Sequence, residues 1–451
     1  MTAVAPQTRR AEDAVAQLVA DYEAFAANGA AGAPPWVQEL RAGAIRQFAE
    51  AGFPSTKDEE WRFTSVEPIT RTRFAVASAT VSAAVRRAVE EVAIGESGER
   101  LVAVYVNGRF VSELSSLALP TGVTIGSLAA AAEGDVARQH LGRLADPSAN
   151  PFTALNTAFV LDGAFVHVGR NVAVDRAIQL VFVSLAGSEP TVSHPRNLYL
   201  FDDGAQASII EQFVGIGDGP YWTNAVTETV LGENAVVDAY RVQREHDNAF
   251  HTATSQSRQG RSSVYTSVTF AFGSRLTRYD LNATLDGEGA ECTINGLSVL
   301  RDEQHVDFHT TLEHAKPHCP SWEVFNGVYD DRSRGVFSGR IIVRPGAQRT
   351  DSKQTNNNLL LSEDARADSQ PQLEIYADDV KCTHGATLGP IDPKAMFYLR
   401  SRGLDEEAAR NLLTFGFGAE ILNSVSVEEL RTQLDGIVHA RLDESARKRS
   451  S

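Results

Sequence analysis

From about Leu155 to Leu399 the chain reads as one uninterrupted series of short strands, with no linker to divide it. Val264, Thr266, Val268, Phe270 and Phe272 alternate with Tyr265, Ser267, Thr269 and Ala271, the period-two pattern of a pleated strand. Ala205, Ala207, Ile209, Glu211 and Phe213 repeat the pattern, as do Val236, Asp238, Tyr240 and Val242. Turn signals punctuate the strands at Asp162-Gly163, Gly169-Arg170-Asn171, Asp203-Gly204, Gly232-Glu233-Asn234 and Asp286-Gly287, without a fixed repeat wording. A sandwich or barrel, and a parallel β-helix, both accommodate so many short strands. A sandwich of this length would normally split into two domains. The run Asn356 to Asn358 favours the solenoid, because stacked coils align amides into hydrogen-bonded ladders.

Helical patterns flank this zone. Trp36, Leu40, Ala44 and Phe48 recur at helical spacing behind Pro35, and Gly52 and Pro54 end the segment. A mixed stretch follows to about Pro151. It holds an alternating strand, Leu101 to Gly108, whose Asn-Gly signals a hairpin, and an Ala-rich helix near Ser127 to Leu144. Beyond the strands, Asp405 opens a helix with Ala408, Leu412 and Phe415 on one face, ended by Gly416 and Gly418. Ser426 and Glu429 read as a capping box before Val427, Leu430, Leu434, Val438 and Leu442. That apolar stripe must be covered, by the solenoid itself or by a docked partner. The expected division is 1–150 helical and mixed, 151–399 β-helix, 400–451 helical.

With 42 Lys and Arg against 58 Asp and Glu, the formal charge is −16, which disfavours nucleic acid in the absence of a basic stripe. Arg447, Lys448 and Arg449 are too few to form one. No apolar run approaches the ~20 residues of a membrane span, and the N-terminus lacks the apolar centre of a secretory signal. Three cysteines, Cys292, Cys319 and Cys382, are too few and too scattered for a disulfide framework. A cytoplasmic protein is expected.

Cys382 and His384, two apart on a strand, point to one face roughly 7 Å apart and present soft or borderline ligands. Without other support they read more plainly as a small buried hydrophobe and a turn residue. A cluster also takes four ligands, so a second chain would have to supply the rest. The stretch His305, His309, His314, His318, Cys319 invites a zinc reading, yet its spacing matches no finger, and His314 falls on the parity opposite His305 and His309. There is no Gly-x-Ser-x-Gly elbow, no Walker lysine and no dinucleotide fingerprint. Asp238, Glu291 and Asp307 are the carboxylates a carbohydrate-cleaving β-helix would use, but nothing pairs them.

The segment Pro371 to Asp392 (PQLEIYADDVKCTHGATLGPID), the preceding TDSKQTNNNLLLSEDA and the following FYLRSRGLDEEAARNLL resemble the SufB/SufD family of iron–sulfur cluster assembly scaffolds. The EEWRFTS segment (Glu59 to Ser65), the Gly that follows His384, and the length resemble its SufD branch. The resemblance implies a right-handed parallel β-helix flanked by N-terminal and C-terminal helical regions, mainly β, with no catalysis of its own. It implies a heterodimer with a SufB-like paralogue and a SufC-like ATPase bound at the C-terminal helices, for which Leu412, Phe415, Leu430 and Leu434 are the candidate contacts. It places His384 at the SufB–SufD interface where the nascent cluster forms, with Cys382 as companion and both as transient metal contacts. No cofactor is expected to be tightly bound; iron or a cluster would pass through as cargo, and flavin in the assembled complex is left open. The alternatives are a SufB-like homodimer accepting sulfur on Cys382 and, remotely, a β-helix carbohydrate enzyme.

Overall fold

The computed structural model describes residues 6–28, 32–96 and 98–450, with side chains given for 11–27, 32–96 and 98–445. Arg447 to Arg449 therefore have no described side chains, and the first five residues of the segment read for a secretory signal lie outside the described residues.

The strands wind into a parallel β-solenoid of about 8 turns. Consecutive strands alternate between two facing sheets. One sheet carries, among others, Tyr221–Leu231, Ala249–Gln259, Leu276–Leu285, His305–His314, Arg334–Val343 and Arg366–Ile375. The other carries Gln206–Ile216, Val236–Arg244, Val264–Ala271, Glu291–Leu300, Pro320–Tyr329, Asp351–Leu360 and Lys381–Gly389. Each strand pairs in parallel with the strand one coil away, so residues about thirty positions apart stack: Val264 on Glu291, Cys292 on Ser321, Ser352 on Cys382.

The repeat that is missing from the wording is present in the backbone. Asn171, Asn234, Ser262, His318 and Arg349 all have positive φ, from 55 to 60°, and each stands at the same corner, with Gly204 and Gly289 filling the intervening coils at φ 69 and 70°. Their N–H groups bond the next coil's corner carbonyl: Asn234 to Arg261, Ser262 to Glu288, His318 to Gln348. The corner needs a left-handed residue rather than a particular side chain. His318 is thus a corner residue.

Because the sheets face one another, one parity of each strand fills the interior, where Tyr265, Cys292, Ile294, Phe308, Phe325 and Phe337 belong to one continuous core. The other parity is covered by helices. Ala44, Phe48, Trp61 and Phe152 cover Trp222, Phe250 and Leu276 on one sheet. Leu430, Leu434, Val438 and Leu442 cover Tyr240, Val242, Val268, Phe270 and Phe272 on the other. Burying a Leu or Phe side chain is worth about 1.5–3 kcal/mol, so both helical flanks are firmly held to the strands.

Several local expectations change. Helix Pro35–Ala51 buries Ala44 and Phe48 of the expected row together with Val37, Arg41 and Ile45, while Trp36 and Leu40 are only partly buried; Arg41 donates to the Val160 carbonyl at 2.9 Å. The Ala-rich stretch forms two short helices, Leu128–Ala131 and Asp135–His140, broken around Gly134. Asn107 and Gly108, at φ 48 and 78°, turn the expected hairpin. Its first strand also pairs in parallel with Ile178–Leu185 and so extends the solenoid sheet.

Helix Glu406–Leu422 runs straight through Gly416 and Gly418. A Cβ at Gly418 would stand 3.4 Å from Leu297, an ordinary contact distance, so this glycine lies against the sheet and does not end the helix. The Ser426 capping box does not form. Ser426 Oγ donates to Asp238 Oδ2 at 2.8 Å and its N–H donates to the Tyr240 hydroxyl at 3.0 Å, pinning the last helix to the solenoid.

Candidate functional site

The two ends of the solenoid differ: one finishes in short antiparallel strands, the other in full-length parallel strands. At the N-terminal end its sheets finish in antiparallel pairs, Tyr105 with Phe110 and Val123 with Val168. At the C-terminal end they finish in Arg366–Ile375 and Lys381–Gly389, each paired on one side only. Among the described residues nothing caps these edges, whose unpaired backbone groups are a template for another chain. Tyr376 and Leu388 beside them are both 57% exposed.

Parity places the site residues. Ser352, Gln354, Asn356 and Asn358 point inward and are buried. Their register partners on the last coil are Cys382, His384, Ala386 and Leu388. Cys382 and His384 therefore share the interior face at the open mouth. Cys382 is half-buried and packs against the core, and burial pushes its thiol up. His384 is exposed. Among the described residues no group of three or more His, Cys, Asp or Glu is placed to hold a metal.

The interior beneath this mouth turns polar coil by coil. The column Tyr265, Cys292 leads to Ser321, Ser352 and Cys382, and the neighbouring column Ile294 leads to Glu323, Gln354 and His384. Ser352 and Ser321 share a hydrogen bond at 2.7 Å, and Ser321 shares another with His314 Nε2 at 3.0 Å. Gln354 Nε2 donates to Glu323 Oε2 at 2.6 Å. Burial raises Glu323 to about 7 and lowers His314 to about 4, since a low-dielectric site disfavours either charge. The asparagine run splits by parity. Asn357 lies on the outer face, donating to Asn326 Oδ1 at 3.1 Å and accepting from Thr387 at 2.7 Å. Asn358 donates to Asn356 inside, at 2.7 Å.

The histidine stretch has structural work. His305 and His309 point outward onto the segment Glu60–Thr64. His309 lies 3.1 Å from Asp307 and 3.2 Å from Glu60, and His305 shares a hydrogen bond of 2.9 Å with Thr64. Arg278 donates to the Glu60 carbonyl and to Asp307, and its guanidinium sits 4.2 Å over the Trp61 ring. Burial alone would raise Asp307 and lower His309. The charges of Arg278 and His309 hold Asp307 well below its usual range, and Asp307 raises His309. This latch, which the histidine spacing alone does not reveal, ties EEWRFTS to the solenoid. Cys319 and Cys292 are buried, with thiols pushed up by burial. Asp238 and Asp307 are committed to Ser426 and Arg278, so neither joins Glu291 in a carboxylate pair.

The expected partner contacts separate into two groups. Leu430 and Leu434 are fully buried against the solenoid, and Phe415 stacks on His439 at 4.2 Å. Leu430 and Leu434 are therefore not available to a partner while the helix stays docked. Leu412 is 50% exposed, and Phe397, 75% exposed, lies on the adjacent helix Pro393–Ser401. An open groove of about 780 Å³ runs between that helix and Leu360, Leu361 and Arg410.

Two family models together span nearly the whole chain: the SufBD protein N-terminal region over residues 12–180, and the SufBD core domain of SUF-system FeS cluster assembly over residues 182–417. The chain belongs to the SufB/SufD family. It is 34% identical to an iron–sulfur cluster assembly SufBD family protein of Synechocystis over 89% of this chain and 90% of that protein. It is 31% identical to Escherichia coli iron–sulfur cluster assembly protein SufD over 94% of this chain and 97% of that one. Protein ABCI7 of the Arabidopsis thaliana chloroplast is 28% identical over 88% of this chain. The core model begins where the regular coils begin, and it covers the open mouth, Cys382 and His384. Membership in this family makes the chain a scaffold of SUF iron–sulfur cluster assembly. No helix among the described residues is long and apolar enough to cross a membrane.

Proposed function

We infer that the protein is a SufD-type, non-catalytic subunit that pairs with a SufB-type paralogue through the open end of its solenoid. The observation that carries this reading is the uncapped pair of edge strands. The last coil places Cys382 and His384 at the mouth and leaves Leu388 and Tyr376 exposed around it. A second solenoid docking there satisfies the free backbone groups and completes a ligand set that two residues cannot supply. Iron and sulfide are the cargo of that interface. His384 is the principal ligand or proton-handling group, Cys382 its companion, and nothing is held permanently. A SufC-type ATPase engages the exposed side of the C-terminal helices, around Leu412 and Phe397, and the protein works in the cytoplasm.

Native mass spectrometry after anaerobic co-expression with SufB-type and SufC-type proteins tests the assembly. One copy of this chain, one SufB-type and two SufC-type subunits are expected. Pairing of the chain only with itself would overturn the reading and favour the homodimer that uses Cys382. Within the assembled complex, His384→Ala should leave the stoichiometry intact and lower cluster yield. An unchanged yield would remove His384 from the mechanism.

A further inference from the structure

Gln354 stands one coil below the mouth, yet it is only 1% exposed. The coil that covers it is the last one, in which its register partner is His384. Its amide is not free to turn, because Nε2 is committed to Glu323 Oε2 at 2.6 Å, with Glu323 itself 1% exposed and Thr310 of the opposite sheet facing it. That commitment fixes the other end of the amide. Gln354 Oε1 is buried and has no hydrogen-bond partner in the protein. Register partners in a parallel ladder stack about 4.8 Å apart, so the residue directly above this acceptor on the last coil is His384, whose exposed ring makes no hydrogen bond to it in this structure and can meet it by turning inward. A buried acceptor left unfilled is costly, so an orphan here, directly below the residue assigned to cluster assembly, calls for an explanation.

We propose that Gln354, locked by Glu323, is a positioning residue that accepts the ring N–H of His384 and thereby fixes which imidazole nitrogen faces the open end. The inference rests on the reading of His384 as the working residue of the mouth. It concerns the orientation of the ring, since a histidine presents a lone pair outward only when its other nitrogen is held as a donor. Glu323 holds the amide, the amide holds the ring, and the ring offers one defined nitrogen to the cargo. Sequence reading passes over both residues, because a Gln and a Glu 31 positions apart announce no relation until the coil stacks them.

The test uses the full-length chain with isotope-labelled histidine rings and requires neither partner nor cluster. His384 signals are assigned by their disappearance in His384→Asn. One tautomer should dominate by roughly fivefold to tenfold, the bias that one net hydrogen bond gives. Gln354→Met, of similar volume and without an acceptor, should lose that bias while the chain stays folded. Glu323→Gln, which keeps a carbonyl acceptor for the amide, should retain it. An unchanged tautomer ratio in a folded Gln354→Met protein overturns the proposal. Should that variant fail to fold, the unmodified chain still decides: a nuclear Overhauser contact between the His384 ring and the Gln354 side-chain amide is expected, and its absence overturns the proposal equally. Either result is independent of whether His384→Ala lowers cluster yield, so the two readings fail separately.

Discussion

At the scale of single residues, the charged latch between Glu60, Asp307, His309 and Arg278 is where pH should act on stability. His309 is raised in the folded protein. Its contribution is complete below the unfolded imidazole value of about 6.5 and is lost as pH rises through the folded value. Asp307 is lowered, so its contribution is complete above the unfolded value of about 3.9 and is lost only as pH falls through the folded one. The latch is therefore strongest between about pH 4 and pH 6.5. His309→Gln should cost about 1–2 kcal/mol near pH 5.5, a modest figure because Glu60 is largely exposed, and clearly less above pH 8. Melting curves of the two proteins from pH 5.5 to 8.5 check this, and a pH-independent gap would refute it. Sequence alone gives the histidines and their parity but not their partner, because Glu60 and His309 are 249 positions apart.

At the scale of elements, the final helix behaves as part of the solenoid. Leu434 is fully buried among Phe270, Phe272 and their neighbours, and Leu434→Ala should destabilise docking by about 2–5 kcal/mol. Hydrogen exchange of residues 428–445 should accelerate in that variant while the central coils stay protected. Equal acceleration throughout would show that helix and solenoid unfold as one unit. Leu412→Glu, on the exposed side, should leave stability within about 0.5 kcal/mol and weaken binding of the SufC-type ATPase in a pull-down. Full retention of binding would move the contact elsewhere. The heptad-like stripe of this helix is plain in the sequence. The identity of what it faces is not, since the same stripe fits a partner or the protein's own sheet.

At the scale of the whole molecule, the difference between the two ends of the solenoid governs association, because only the C-terminal end presents full-length parallel edge strands. The isolated chain should self-associate weakly at high concentration through its last coil, as unprotected edges do. Leu388→Lys, 57% exposed at that edge, should shift sedimentation toward monomer with an unchanged melting temperature. Persistent association in the variant would place the contact on another surface. The pattern of short strands, the hairpin at Asn107-Gly108 and the solenoid suggested by the asparagine run are all read from local residue order, because strand period and turn chemistry are local properties.

The sequence by itself determined the strand-rich solenoid, the helical flanks and the family, through alternation, turn residues and one long characteristic segment. Only the tertiary structure decided what each residue meets: that His318 is a corner, that His305 and His309 fasten the N-terminal region, that Leu430 and Leu434 are covered, and that Gln354 lies under His384. The reason is geometric. A parallel coil brings together residues about thirty positions apart, and no local pattern in the chain records which coil lies above which.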